Sequence, residues 1–237
     1  MPFGDILDDI LKTDKDKERT EDITQYVAFV LDSSGSMLDI KQKAIDSFNE
    51  QLQTLRKESG ADINTLVSTT TFNDVVSVGS VKPLPTVEEL NETTFRPSGL
   101  TALFDAIGET TLKVAKKYRE DYTNAAVLMV IITDGRENAS MKFNQEKIKS
   151  MVKELEGTDR WTFTFLAANQ NPLETAVRGM GLHQGNVMDF MATDDGMSKG
   201  SGDMTIGLAN TYQARRAGMT STSNFYQPTE IEEEDEE

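Results

Sequence analysis

The sequence predicts a doubly wound α/β domain, with a mostly parallel six-stranded sheet, one antiparallel edge strand and helices on both faces. Three observations predict it. The runs Tyr26–Leu31 and Ala125–Thr133 are almost unbrokenly apolar and stop at aspartates, as strands buried on both faces do. Segments with apolar residues at helical spacing alternate with such strand-sized segments along the chain. Only Asn73-Asp74 separates two β-rich segments, a hairpin signal inside an otherwise alternating order.

Taken in order, residues 1–22 mix charges with few apolar anchors, although Ile6, Leu7, Ile10 and Leu11 are spaced for one short amphipathic turn. The first strand covers Ile23–Asp32. A helix over Leu38–Ser59 follows, with Ala44, Ile45, Phe48, Leu52 and Leu55 on one face and Gly60 as its stop. Ile63–Phe72, rich in Ile, Val and Thr, is a strand, and Val75–Val81 returns antiparallel to it at the sheet's edge. Pro83 and Pro85 then break regular structure. Thr101 precedes a second helix, whose buried side holds Leu103, Phe104, Ile107, Thr111, Val114 and Tyr118. After the central strand Ala125–Thr133 come a helix over Glu146–Glu156, with Ile148, Met151, Val152 and Leu155 inward, and a strand over Trp161–Ala168. Pro172 opens a short helix closed by Gly179 and Gly181. A last strand over Val187–Met191 and a helix over Asp203–Arg215 complete the expected domain, residues 23–216. The stretch 217–237 turns to small polar residues and then acids, the composition of a flexible tail.

Composition bounds the function. The chain has 237 residues, 37% hydrophobic and 27% charged, and no apolar run near the roughly 20 residues of a membrane helix. Its first residues are acidic where a signal peptide is basic, so a cytoplasmic location is expected. Cysteine is absent, which excludes disulfides and thiol chemistry. The net charge is −16, and the balance stays acidic without the seven acids between Glu230 and Glu237. Such a surface argues against nucleic acid as a partner.

The candidate chemistry lies at the carboxyl ends of the two apolar strands, where open α/β sheets bind ligands. Asp32, Ser34 and Ser36 form one oxygen-rich turn, relaxed by Gly35. Thr101 opens a helix after a glycine-bearing loop, and Asp134 ends the second central strand. If the strands ending at Asp32 and Asp134 are neighbours, both aspartates meet at the switch point, and oxygens from three turns converge on a hard cation. Any one cluster alone reads as helix capping, Thr101 as a plain N-cap included. Asp105 reads as a local hydrogen-bond acceptor, Glu137, Asn138 and Ser140 as a solvated loop, and His183 and Trp161 as surface or core residues. Gly179-Met180-Gly181 lacks the remainder of a dinucleotide fingerprint.

With Asp32-x-Ser34-x-Ser36, Thr101 and Asp134 in this order, the chain resembles von Willebrand factor A (vWA) domains over roughly residues 22–215. The resemblance implies the Rossmann-like vWA fold and a metal-ion-dependent adhesion site (MIDAS). In it Ser34 and Ser36 bind the metal directly, Thr101 directly or through water, and Asp32 and Asp134 through water. The expected cation is Mg²⁺, with Mn²⁺ or Ca²⁺ as alternatives. Its open position would take a carboxylate from a partner protein, which makes the chain a binding module rather than an enzyme. Residues from Leu166 to Arg215 also resemble stand-alone bacterial and phage vWA proteins, including those encoded near tellurium-resistance genes. That resemblance implies an AAA+ ATPase or a stress or phage system component as partner. Two other functions compete. A Mg²⁺-dependent phosphatase of the haloacid-dehalogenase type needs a second Asp where Ser34 stands, no phosphate-binding Gly-x-x-x-x-Gly-Lys-Ser/Thr loop is present, and a single histidine would have to serve any serine triad. A scaffold with a purely structural metal site is the other.

Overall fold

The computed structural model describes residue 8 and residues 23–121, 124–168 and 173–226. Strands β1 (Ile23–Asp32), β2 (Ile63–Phe72), β5 (Asn124–Thr133), β6 (Trp161–Ala168) and β7 (Val187–Phe190) run parallel, and β3 (Val76–Val78) and β4 (Lys82–Pro83) pair antiparallel with β2. The seven strands follow the order β3-β2-β1-β5-β6-β7, with β4 also beside β2. Four α-helices cover the sheet: α1 (Lys41–Glu58), α2 (Leu103–Asp121), α3 (Gln145–Glu156) and α4 (Asp194–Arg216).

Side-chain alternation along β1 divides the core into two layers. Tyr26, Ala28 and Val30 pack with Leu103 and Ile107 of α2 and with Ile148 and Val152 of α3. Val27, Phe29 and Leu31 face the other way, onto Ile45, Phe48 and Leu52 of α1 and Met204, Leu208 and Tyr212 of α4. The chain leaves β1 toward β2 on one side and returns to β5 on the other, so the order reverses at the carboxyl ends of β1 and β5.

The sheet has seven strands rather than six because the return strand divides. At Gly79 the backbone comes against β2, its N–H donating to Thr69 O at 3.1 Å, with no room for a Cβ. Pairing stops there and resumes at Lys82, so the expected strand Val75–Val81 becomes β3 and β4. Helix α1 starts at Lys41, because Gly35–Leu38 forms a separate 3₁₀ turn. Helix α4 begins at Asp194, well before the expected Asp203, with Thr193 as N-cap accepting from Gly196 N at 3.1 Å. Its glycines hide it in the sequence, since glycine disfavours helices. They serve close packing: a Cβ on Gly200 would stand 3.2 Å from Leu166, and one on Gly207 would meet the Phe225 ring at 2.6 Å.

Residues 217–226, expected as the start of the flexible tail, pack on the body. Phe225 is buried, its N–H donates to Asn186 Oδ1 at 2.9 Å, and Thr222 N donates to Thr162 Oγ1 at 3.0 Å. The expected amphipathic turn near Ile6, the helix-opening Pro172 and the acids after Tyr226 lie outside the described residues.

The loop after β5 is folded onto the start of α2. The Asp105 carboxylate accepts from the N–H groups of Met141, Lys142 and Phe143 at 2.8 to 2.9 Å. In return, Glu137 Oε2 accepts from Phe104 N at 2.9 Å and Ser140 Oγ from Asp105 N at 3.0 Å. These two bonds cap α2 from outside its own segment. Asp105→Ala removes the acceptor of three N–H groups in one step, so a destabilisation of about 2–3 kcal/mol is expected in urea denaturation, against less than about 1 kcal/mol for Asp105→Asn, which keeps one carbonyl oxygen.

At the opposite, amino-terminal end of the strands lies a cavity of about 910 Å³, lined among others by Glu156, Trp161, His183 and Phe225. Burial pushes the Glu156 carboxyl up to about 7, opposed by a hydrogen bond from Phe163 N at 3.4 Å. His183 Nε2 stands 3.7 Å from Glu156 Oε2 at the surface, far from the switch point. The folded state therefore holds a proton on Glu156 that the unfolded chain, at the ordinary glutamate value of 4.5, has released. Stability falls as pH rises through that window and levels off above about 7. Glu156→Gln is expected to flatten this slope, gaining on the order of 2–3 kcal/mol over wild type at high pH and little at low pH, as read by denaturation across the window.

Candidate metal centre

Parallel pairing of β1 with β5, Leu31 opposite Ile132, brings the turns after Asp32 and Thr133 side by side. The β1 turn is fastened on two sides. Ser33 N donates to Phe72 O at 2.6 Å, and Gly35 N donates to Gly99 O at 3.1 Å. Gly99 has φ +76°, and a side chain there would strike the Asp74 carboxylate, so only glycine brings the loop before Thr101 this close.

All five expected residues meet here. Asp32 is fully buried; its Oδ1 accepts from Ser34 N at 2.7 Å and its Oδ2 from Thr133 Oγ1 at 2.5 Å. Ser34 Oγ lies 3.2 Å from Ser36 Oγ, which donates to Asp134 Oδ1 at 2.6 Å. The three loops crowd Gly135: a Cβ on it would stand 2.7 Å from Thr101 Oγ1, 3.2 Å from Asp32 Oδ2 and 3.3 Å from Ser34 Oγ, so these oxygens lie together against its backbone. The surrounding concavity, about 400 Å³, is lined by Ser34, Ser36, Leu100, Thr101, Asp134 and Arg136, among others.

Capping does not account for these hydroxyls. Ser34 precedes the 3₁₀ turn without a side-chain cap bond. The first-turn N–H groups of α2 go to Glu137 and Ser140, and Thr101 is held through its backbone, N–H to Asn138 Oδ1 at 2.8 Å and C=O from Asn138 N at 3.0 Å. Glu137, Asn138 and Ser140 are thus the brace that positions Thr101, where a solvated loop was expected. Thr133 carries no motif of its own. Its sequence signal is a hydroxyl ending an apolar strand, in register with the acid it holds.

The donor set fits a hard divalent cation. The contacts of 2.6 and 3.2 Å linking Ser34, Ser36 and Asp134 bracket the separation of about 2.9 Å between neighbouring oxygens around Mg²⁺. Burial raises both Asp32 and Asp134 above the usual carboxylate range, and the charges acting on them are themselves acidic, Asp134 on Asp32 and Asp39 on Asp134. Among the described residues no Lys or Arg pairs with either aspartate. The residues that could hold such a cation are these two carboxylates without a counterion and the hydroxyls not spent on capping: Asp32, Ser34, Ser36, Thr101 and Asp134.

Comparison with known proteins agrees with this architecture. Structural neighbours include the pilus adhesin SpaC from Lactobacillus rhamnosus GG, with TM-score 0.59 and 9% identity, covering 83% of this chain and 32% of that one. They also include proximal thread matrix protein 1 from the mussel byssus, with TM-score 0.52 and 16% identity, covering 84% and 46%. A von Willebrand factor type A protein from Catenulispora acidiphila has TM-score 0.50 and 12% identity, covering 79% and 43%. The chain thus spans less than half the length of each of these three, and the likeness is one of fold. No curated protein matches the sequence. The family model for the von Willebrand factor type A domain matches residues 27–198, most of the chain, and the protein belongs to that family.

Proposed function

We propose that this vWA domain is a metal-dependent protein-binding module in which Mg²⁺, held by Ser34, Ser36 and Thr101 and backed by Asp32 and Asp134, coordinates an acidic residue of a partner protein. The observation that carries the reading is that Thr101, Asp32 and Ser34 bring their side-chain oxygens together beside Gly135, with Ser36 and Asp134 hydrogen-bonded next to them. Neutral hydroxyls as direct ligands leave much of the cation's charge unspent, so the metal keeps an affinity for one further anionic oxygen. The resemblance of Leu166–Arg215 to stand-alone bacterial and phage vWA proteins supports a cytoplasmic setting, with an AAA+ ATPase or a stress or phage system component as partner. Among the described residues no helix is long and apolar enough to cross a membrane. The module has no catalytic step of its own. Mg²⁺-dependent release of phosphate from a generic ester, lost in Asp32→Asn, would reverse that assignment.

Calorimetric titration with Mg²⁺ tests the site. Ser34→Ala and Asp134→Ala are expected to abolish metal binding and metal-dependent partner capture while the circular dichroism spectrum stays that of wild type. Gly135→Ala is the sharper variant, because its methyl group presses on Thr101 Oγ1 and crowds Asp32 Oδ2 and Ser34 Oγ. It should bind Mg²⁺ at least about tenfold more weakly in a folded protein. Thr133→Val, which only releases Asp32, should cost about 10–100-fold. Equal Mg²⁺ affinity in wild type and all four variants rejects the proposal.

A further inference from the structure

Seven large apolar side chains stand more than half exposed among the described residues, and four of them, Leu38, Val75, Leu100 and Met141, lie on loops that build or brace the candidate metal centre. Leu38 ends the 3₁₀ turn that contains Ser36. Leu100 lines the concavity itself. Val75 is held in the turn after β2 by Asn73 Oδ1 at 2.8 Å, and Asn73 O in turn accepts from Ala102 N at 2.7 Å. Met141, 93% exposed, is pinned by its N–H to Asp105 at the start of α2. Single exposed apolar residues are ordinary, but four on the loops at one end of the sheet, Leu100 lining the concavity and the others on the turns beside it, mark a docking face.

The charges around the concavity narrow what docks there. Asp39, Asp74 and Glu137 join Asp32 and Asp134 on these loops, against Arg96, Arg136 and Lys142, the last of which pairs with Glu109. The one cation lining the concavity is the exposed Arg136, which has no ion pair among the described residues. Beyond a single carboxylate, further acids on a ligand meet loops on which acids outnumber cations. Apolar neighbours meet no such penalty and find four side chains to cover.

We propose that the occupant of this face is a partner-protein segment carrying one acidic residue flanked on both sides by apolar ones. The carboxylate meets the metal and Arg136, and its neighbours cover Leu38, Val75, Leu100 and Met141. This inference rests on the metal-bridged reading above and adds the sequence class of the partner. It excludes acid-rich tracts as ligands, the run Glu230–Glu237 of another copy among them.

Three labelled peptides of equal length test it, each with a central Glu, flanked by Leu, by Ser or by Glu on both sides, titrated with the full chain by fluorescence polarisation in Mg²⁺ and in chelator. The Leu-flanked peptide is expected to bind about tenfold tighter than the Ser-flanked one, and the Glu-flanked peptide weakest. The double variants Leu38→Ser with Leu100→Ser and Val75→Ser with Met141→Ser should bring the Leu-to-Ser affinity ratio toward one. A damaged metal site weakens both peptides alike and leaves that ratio unchanged. A wild-type ratio near one, or a ratio unchanged in both double variants, overturns the inference, while Mg²⁺-dependent binding would still uphold the underlying module. Tightest binding by the Glu-flanked peptide, or Mg²⁺-dependent self-association in sedimentation without peptide binding, also overturns it. Binding indifferent to chelator, or none by any peptide, rejects the metal-bridged reading and the inference together.

Discussion

Two carboxylates held close together in a buried place are the constraint on which the site depends. Parallel pairing of β1 and β5 sets Asp32 and Asp134 at adjacent strand ends, and burial withholds the water that would ordinarily separate their charges. Such a pair is costly unless something positive or protic stands by. Around it the chain supplies Thr133 and Ser36 as donors, and the Ser34 backbone as a third. The loops are tied to one another rather than to solvent: Gly35 to Gly99, Ser33 to Ser98, Thr101 to Asn138. The result is a set of oxygens fixed in place by the loops that carry them.

The layers were legible in the sequence because their signals are strong and local. The apolar runs at Tyr26 and Ala125 gave the two central strands, and the spacing of Ala44, Ile45, Phe48, Leu52 and Leu55 gave the buried face of α1. Asp32, Ser34, Ser36, Thr101 and Asp134 were legible as a set only because chain order and strand ends placed them together. Which oxygens were already spent on capping was not legible. That depended on Glu137 and Ser140 reaching α2 across more than thirty residues of sequence separation.

The misjudged boundaries share a physical cause. Where tertiary contact overrides local propensity, composition misleads. Gly196, Gly200 and Gly202 kept the expected helix from starting before Asp203, yet Gly200 lies in α4 with Leu166 against it. Residues 217–226 read as tail because Ser, Thr and Asn dominate, yet Phe225 is a core residue and Asn186 is buried to receive its N–H. The two-residue strand β4 was too short to leave a periodic trace and exists because Gly79 lets the return strand bulge.

The turn between β2 and β3 has a consequence for anyone engineering this protein. Edge hairpins ordinarily tolerate insertions, because little else leans on them. Here the tip is a strut: Asn73 holds the backbone of Ala102, and Asp74 occupies the space beside Gly99. Lengthening that turn would slacken the start of α2 and, with it, the seat of Thr101. An epitope or fluorophore spliced into this edge would read out its own disturbance of the Thr101 loop, whereas the exposed outer faces of α1 and α3 offer attachment points away from it.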